Sequence, residues 1–398
     1  MRLSERAFHF PDSPIRKLGP LADRARAMGR HVIPLNIGQP DIATPPAFLE
    51  GLHAYGDAVV AYGRSEGEPE LREALAGYYQ DLNLPLDADD IVITVGGSEA
   101  LLFALQIAAD PGDEVLVIEP FYTNYAAFAC MSGVELRGLP ADPATGFRLP
   151  DDDALLAALG PRTRAILLCS PNNPTGATLS AEELGRLARL ALKHDLFLIA
   201  DEVYREFVYE GAHVSALSVP GIEDRVILVD SLSKRYSLCG ARLGCLATRN
   251  REARAAAGRM AMGRLCPPVP EQRAAAAMIP SLPQDFFAPI RDEYRRRRDA
   301  MMEGLTVIPG LRCEKPAGAF YLMASLPVGD AEAFARWALT DFERDGETFM
   351  VAPGPGFYAT PGLGTDQVRL AYVIEESRLR RAAALMAEAV AQFQTVRV

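Results

Sequence analysis

The sequence predicts an α/β protein with a large domain built on a mostly parallel central sheet and a smaller α+β domain. From about residue 90, short apolar runs alternate with helical patterns, an order typical of parallel strands joined by helices. The runs are apolar throughout, as expected for strands covered by helices on both faces. The predicted strands are residues 91–97, 114–120, 165–171, 197–204, 226–234 and 244–249.

Helices are predicted between these strands from the spacing of their apolar residues. Residues 101–108 and 184–191 both place apolar side chains at positions i, i+3, i+4 and i+7. The second helix is preceded by Ser180 and Glu183, which have the spacing of a capping box. Both segments are therefore expected to pack one face against the sheet.

The domain organisation follows from changes in pattern along the chain. Residues 1–45 are rich in proline and turn signals, and we expect an extended N-terminal arm that joins the small domain. Residues 46–288 hold the predicted strands and form the large domain. After a helical stretch near 284–306, strands punctuated by glycine and proline and a closing helix predict a small domain over 289–398.

Composition excludes several classes of protein. The formal net charge of −11 argues against a nucleic-acid-binding surface. The run of arginines at 295–298 lies in a helical pattern and is interpreted as a solvated helix face. No apolar segment approaches the roughly 20 residues needed to cross a membrane, and no signal peptide is recognised. The cysteines show no metal-ligand spacing, so we expect a cytoplasmic protein without a metal.

Chemically unusual residues lie at the ends of five of the six predicted strands. They are Gly97 and Ser98, Tyr122, Asn173, Asp201 with Tyr204, and Ser231 with Ser233 and Lys234. In open parallel sheets, ligands bind outside the carboxyl ends of the strands. The five strand ends are therefore expected to converge on one site.

The types of these residues suggest the ligand. The glycine–serine turn before a helix, together with Ser231, Ser233 and Arg242, suits a phosphate. Asp201, at a buried strand end, needs a cationic or hydrogen-bonding partner, and Tyr122 offers a flat face.

Lys234 adds an amine to this set, in a chain with only four lysines against thirty-seven arginines. A partly buried lysine can lose its proton and act as a nucleophile or base, whereas arginine cannot. Together the groups describe a site for a phosphorylated, protonatable aromatic aldehyde.

Other motif interpretations do not hold. Ser231 and Lys234 match the S-x-x-K signature of serine β-lactamases, but the S-D-N and K-T-G tripeptides that accompany it do not occur. A Walker A loop and a G-x-G-x-x-G dinucleotide turn are also missing from the sequence.

Ten segments in order carry a resemblance to a known family. The segments are IGQPDIATP, Tyr62 with GRSEGEPELR, TVGGSEAL, EPFYTNY, SPNNPTGA, ADEVY, SLSKRYSLCGARLG, GAFYLM, VAPGPGFY and VRLAYV. With these segments the chain resembles the class I/II aminotransferases of the pyridoxal-phosphate fold-type I superfamily, and bacterial aspartate aminotransferase-like proteins in particular.

The resemblance implies a role for each site residue toward pyridoxal phosphate. Lys234 would form the internal aldimine, and Asp201 would pair with the pyridinium nitrogen. Tyr204 and Asn173 would bond the ring oxygen, while Tyr122 would stack on the ring. The residues expected to hold the phosphate are Gly97, Ser98, Ser231, Ser233 and Arg242.

The resemblance also implies the substrate contacts and the assembly. Arg369 and Asn173 would bind the α-carboxylate of the amino acid, and Gly38 would let the backbone approach the same carboxylate. Tyr62 would reach the phosphate of a neighbouring subunit, so a homodimer with shared active sites is expected. The other partners are an amino acid and a 2-oxo acid.

The substrate is expected to be aspartate, with 2-oxoglutarate as the acceptor. Ser98 stands where several prokaryotic members that prefer aspartate carry a lysine. Arg64, Arg264 and Arg273 are candidates for the missing charge. The alternatives are a broad-specificity aromatic or alanine aminotransferase, a carbon–sulfur β-lyase, and a non-enzymatic effector-sensing domain.

Overall fold

The computed structural model describes residues 1–396. Within them the strands are β1 (His31–Pro34), β2 (Ile91–Val95), β3 (Glu114–Glu119), β4 (Glu135–Pro140), β5 (Thr163–Cys169), β6 (Phe197–Asp201), β7 (Val226–Ser231), β8 (Leu243–Ala247), β9 (Tyr321–Ser325), β10 (Glu347–Met350), β11 (Ala352–Pro353) and β12 (Gln367–Ala371).

The α-helices of the same residues are α1 (Glu5–Phe8), α2 (Gly19–Ala27), α3 (Pro46–His53), α4 (Pro69–Asp81), α5 (Gly96–Ala108), α6 (Asn124–Ser132), α7 (Asp152–Ala157), α8 (Ala181–His194), α9 (Leu232–Arg235), α10 (Arg251–Arg264), α11 (Val269–Met278), α12 (Phe287–Leu305), α13 (Ala331–Thr340) and α14 (Glu376–Val396). Short 3₁₀ turns lie at Ala88–Asp90, Pro143–Thr145, Ala216–Ser218, Cys239–Ala241, Ile279–Ser281 and Gly354–Phe357. Among the helices formed by residues 1–396, none combines the length and apolar character needed to cross a bilayer.

The central sheet has seven strands in the order β2-β8-β7-β6-β5-β3-β4. The neighbours from β7 to β4 pair in parallel, whereas β8 runs antiparallel to both β2 and β7. The prediction of a mostly parallel sheet is confirmed. All six predicted strands are present, and β4 was not predicted.

Helices cover both faces of this sheet. Successive residues of β6 point to opposite faces, so Ile199 packs in the core beneath α5, α6 and α10. Leu198 and Ala200 pack on the other face, against α4, α8 and α11. The predicted helices at 101–108 and 184–191 lie within α5 and α8, and the Ser180–Glu183 capping box is present. The prediction of an α/β protein with helices on both faces of its central sheet is therefore confirmed.

Two smaller sheets lie outside the central one. β1 pairs in parallel with β10, and β9, β12 and β11 form an antiparallel sheet in which Arg369 is opposite Met323. Residues 1–45 are not simply extended as expected, because α2 and β1 form there. The domain limits at 45/46 and 288/289 stay predictions, and the second lies in the first turn of α12.

The arginine run at 295–298 corrects one interpretation. Arg295 and Arg296 are exposed, but Arg297 and Arg298 are buried, so the run is not a solvated face throughout. Arg297 donates to Asp41 Oδ1 at 2.6 Å and to the carbonyl of Val373. Four consecutive helical residues span more than one turn, so some of them must face inward.

Candidate active site

A cavity of about 410 Å³ opens at the carboxyl ends of β2, β3, β5, β6 and β7. Because β8 runs in the opposite direction, its amino end lies at the same edge and brings Arg242 to the cavity. The predicted site residues that line it are Gly38, Gly97, Ser98, Tyr122, Asn173, Asp201, Tyr204, Ser231, Ser233, Lys234, Arg242 and Arg369.

Lys234 lies on the short helix α9, which begins directly after β7. The Ser231 hydroxyl caps this helix by accepting from the Ser233 N–H at 3.1 Å. The Lys234 amine donates to the carbonyl of Gly38 at 3.0 Å and lies 3.8 Å from Cys239 Sγ. The amine is therefore held at the cavity wall by uncharged acceptors.

Asp201 ends β6 at the floor of the cavity and is buried. Its Oδ2 accepts from the Tyr125 hydroxyl at 2.7 Å, and its Oδ1 accepts from the Val203 N–H at 3.3 Å. Burial raises the pKa of Asp201 to about 6 despite these two hydrogen bonds. A ligand cation facing this carboxylate would stabilise its charged form.

Arg242 and two glycines shape one end of the cavity. Arg242 donates from Nη1 to the carbonyl of Cys239 at 3.0 Å. A Cβ on Gly96 would lie 2.3 Å from Arg242 Nη2, and one on Gly244 would lie 2.5 Å from the Gly96 backbone. Only glycine leaves room for this guanidinium beside the amino end of α5, where free N–H groups favour an anion.

Arg369, on β12, also lines the cavity. Its Nη1 donates to Asn173 Oδ1 at 3.0 Å, and its Nη2 donates to the carbonyl of Asn36. The guanidinium lies 4.5 Å from the centre of the Tyr321 ring. Within residues 1–396 no acidic group pairs with it and its Nε has no hydrogen-bond partner. Burial lowers the pKa of Arg369, so a carboxylate ligand would offset a cost already present.

A series of hydrogen-bonded amide and hydroxyl groups begins at Arg369. Asn173 donates from Nδ2 to the Tyr204 hydroxyl at 3.5 Å, and the hydroxyls of Tyr204 and Tyr321 are 3.1 Å apart. Burial raises the pKa of Tyr204 well above its usual value, so its hydroxyl stays protonated and available as a donor.

Several residues of the site were missed from sequence. Tyr125 and Tyr321 lie in the segments EPFYTNY and GAFYLM, but nothing local shows that their hydroxyls reach Asp201 and Tyr204. Asn36 and Arg16 come from the N-terminal region and reach the site only through tertiary packing. The sequence indicates a role for these tyrosines only through their position in two of the segments that resemble the family.

The remaining predicted residues lie outside this cavity. Tyr62 and Arg64 line a separate surface cavity together with Arg273, whose Nη1 donates to Asp57 at 2.6 Å. Arg264 donates to Glu99 at 3.1 Å. Within this chain, the structure therefore does not bring Arg64, Arg264 or Arg273 to the active-site cavity.

Comparison with known families agrees with the geometry of this cavity. Residues 30–384 match the family model described as aminotransferase class I and II. The chain belongs to this family. Class I and II aminotransferases use pyridoxal phosphate, so the chain is a pyridoxal-phosphate-dependent aminotransferase.

Characterised aminotransferases resemble the chain over most of its length. The aspartate/prephenate aminotransferase of Thermus thermophilus is 35% identical over 365 residues, which is 90% of each chain. The arginine–pyruvate transaminase of Pseudomonas aeruginosa is 33% identical and covers 89% of this chain and 88% of its own.

Solved aminotransferase structures share the whole fold. The aspartate aminotransferase of Thermus thermophilus with maleate has a TM-score of 0.88 at 32% identity and covers 98% of this chain and 100% of its own. The alanine aminotransferase of Pyrococcus furiosus has a TM-score of 0.88 at 31% identity, with the same coverage. The prediction of a fold-type I aminotransferase is confirmed.

Proposed function

We propose that this aminotransferase moves the amino group of L-aspartate to 2-oxoglutarate, with Lys234 as its catalytic residue. The observation that carries the proposal is that the Lys234 amine, the Asp201 carboxylate and the guanidiniums of Arg242 and Arg369 line one cavity. An amine alone would suit many reactions. The combination suits an amino acid held over a phosphorylated cofactor.

The described residues fit pyridoxal phosphate in two respects. The guanidinium of Arg242 lies where a side chain on Gly96 would otherwise be, beside the amino end of α5, which suits the phosphate. Burial raises the pKa of Asp201, so a cationic partner would stabilise its charged form. A protonated ring nitrogen is such a partner. Gly97, Ser98, Ser231 and Ser233 line the same cavity, and we assign them to the phosphate as well.

Bound pyridoxal phosphate supplies an electron-withdrawing ring that stabilises negative charge at the substrate Cα. In this proposal the Lys234 amine would take the Cα proton and deliver it to the carbonyl carbon of the cofactor. The Gly38 carbonyl orients the amine, and Asp201 would keep the ring nitrogen protonated. Tyr204 and Asn173 would donate to the ring oxygen, and Tyr122 would cover the ring face.

Arg369 binds the α-carboxylate of the substrate. Its free Nε and its rigid contacts with Asn173 and Asn36 leave a planar fork oriented before the substrate arrives. Preorganised donors of this kind lose little entropy on binding.

The choice of aspartate rests on the names of several similar proteins, which include aspartate aminotransferases from Rhizobium meliloti and Geobacillus stearothermophilus. Other relatives act on alanine or arginine by name, so family membership leaves the substrate open. The homodimer with shared sites and the cytoplasmic location stay predictions.

The test follows both products. Purified enzyme loaded with pyridoxal phosphate is given L-aspartate, with and without 2-oxoglutarate, and oxaloacetate and glutamate are measured by chromatography. We expect one glutamate per aspartate consumed, turnover only when 2-oxoglutarate is present, and none in Lys234→Ala. Steady release of ammonia and pyruvate from cystathionine without a 2-oxo acid would instead identify a β-lyase.

A further inference from the structure

We propose that Arg16 binds the distal carboxylate of a dicarboxylic substrate and is the specificity-determining residue of this aminotransferase. The proposal rests on the proposed function, since it assigns the substrate class of the same site. It follows from the position of Arg16, from its link to Arg369 and from the charges around the cavity.

Arg16 reaches the cavity from a segment that is fixed to the rest of the fold. Its N–H donates to the Ser13 carbonyl at 3.0 Å and closes a turn. Pro14 lies against Gly356, where a Cβ would be 2.5 Å from the proline ring, and Ile15 is buried in the core near Phe357. The backbone is thus anchored while the Arg16 side chain is exposed at the cavity wall.

A short chain of hydrogen bonds ties this segment to the arginine assigned to the α-carboxylate. Asn36 Nδ2 donates to the Ile15 carbonyl at 2.8 Å, and the Asn36 carbonyl accepts from Arg369. Burial lowers the pKa of Arg369, and the nearby Arg16 charge lowers it further. Both guanidiniums therefore line the same cavity, and Asn36 connects the segments that carry them.

The charges around the cavity leave Arg16 without a role in binding the cofactor. Among residues 1–396, the lysine, arginine and acidic side chains that line it are the cations Arg16, Lys234, Arg242 and Arg369 and the carboxylate Asp201. The proposed function assigns Arg242 to the phosphate, Lys234 to proton transfer and Arg369 to the α-carboxylate. Across residues 1–396, the Arg16 guanidinium forms no hydrogen bond or ion pair. A second carboxylate on the substrate is the partner that its charge and position fit.

The other candidates for this task are neutral, are paired with a carboxylate or, like Arg64, line a separate surface cavity. Ser98 carries no charge, although it lines the cavity. Arg264 pairs with Glu99 at 3.1 Å, and Arg273 pairs with Asp57 at 2.6 Å. Among the candidates within residues 1–396, Arg16 lines the active-site cavity, has no carboxylate partner and is not assigned to another task.

The test compares a dicarboxylic with a neutral amino acid. Holoenzyme carrying Arg16→Gln, Arg16→Lys or the control Arg24→Gln, which removes an exposed charge outside the cavity, is assayed in single turnover with L-aspartate and L-alanine. We expect Arg16→Gln to lower kcat/KM for aspartate by roughly 10- to 100-fold, mostly through KM, because one charge-assisted contact is lost. Alanine should change by less than about threefold. Arg16→Lys should recover part of the loss, and Arg24→Gln should show none.

A binding measurement makes the result independent of turnover. Calorimetry of the holoenzyme with the unreactive dicarboxylate maleate should show weaker binding in Arg16→Gln, while the monocarboxylate butyrate binds equally well to both. An unchanged aspartate-to-alanine ratio together with unchanged maleate affinity would overturn the role of Arg16 and leave the aminotransferase intact. A wild-type enzyme that converts no amino acid would overturn the proposed function itself.

Discussion

Asp201 is a buried carboxylate that lines the proposed cofactor site. Burial lifts its pKa from 3.8 to about 6, so the folded cofactor-free protein binds this proton more tightly than the unfolded chain does. Its contribution to stability is therefore complete below about pH 4 and is lost as the pH rises through 6. Above that range the charged group costs about 3 kcal/mol.

The loss of stability at high pH leads to a prediction for Asp201→Asn, because asparagine cannot ionise. In urea unfolding of the cofactor-free protein, the variant should be more stable than the wild type, and its advantage should be larger at about pH 8 than at about pH 5 by roughly 1 kcal/mol. The same variant should lose most transaminase activity once loaded with cofactor. A stability difference that does not depend on pH would show that Asp201 titrates normally.

At the scale of elements, hydrogen bonds of the loop after β1 connect it to C-terminal segments and to the active-site lysine. The Leu35 N–H donates to the Met350 carbonyl, and the Ala371 N–H donates to the Leu35 carbonyl. Three residues later the Gly38 carbonyl accepts from Lys234. Pairing of β1 with β10 therefore places the acceptor of the proposed catalytic amine.

Gly38→Ala tests this coupling, because its Cβ would lie 1.8 Å from the Tyr321 hydroxyl. We expect kcat/KM to fall by roughly 100-fold, since a shift of about 1 Å near the reacting atoms has that effect, and stability to fall by about 1–3 kcal/mol. Gly77→Ala, on α4 with open space around it, is the matched control and should leave activity unchanged. Equal kinetics in both variants would show that the loop does not position the amine.

Elements buried on both faces were predictable because their apolar runs report burial directly. β4 was missed because it is a half-exposed edge strand containing Gly138 and Pro140, whose residues carry no such signal. The burial of Arg297 and the exposure of Arg16 at the cavity depend on which distant segments pack beside them. For the site, topology alone predicted that the strand ends meet, but not that Tyr125 orients Asp201.

At the scale of the whole molecule, the segment 59–62 exposes large apolar side chains to solvent. Val59 is 70% exposed, Val60 is 68% exposed and Tyr62 is 82% exposed. Apolar side chains clustered in this way commonly mark an interface between proteins. This exposure is consistent with the expected homodimer, in which Tyr62 serves the neighbouring site.

Mixing two defective variants tests whether each active site uses residues of both subunits. Lys234→Ala and Tyr62→Ala are each expected to be impaired as homodimers, the second through weaker cofactor binding. In a mixed dimer, one site receives intact Lys234 and intact Tyr62 from different subunits. Activity at limiting cofactor should then rise above the mean of the two parents after subunit exchange. A simple average would contradict the sharing of Tyr62 between sites.

The most direct test of the central claim, that Lys234 holds the cofactor and carries the substrate proton, is an absorption spectrum. Wild type and Lys234→Arg, which keeps the positive charge, are loaded with pyridoxal phosphate and treated with L-aspartate without a 2-oxo acid. We expect the visible band of the bound cofactor in the wild type to give way to the near-ultraviolet band of pyridoxamine phosphate, and no such change in the variant. Conversion by Lys234→Arg at the wild-type rate would contradict the account.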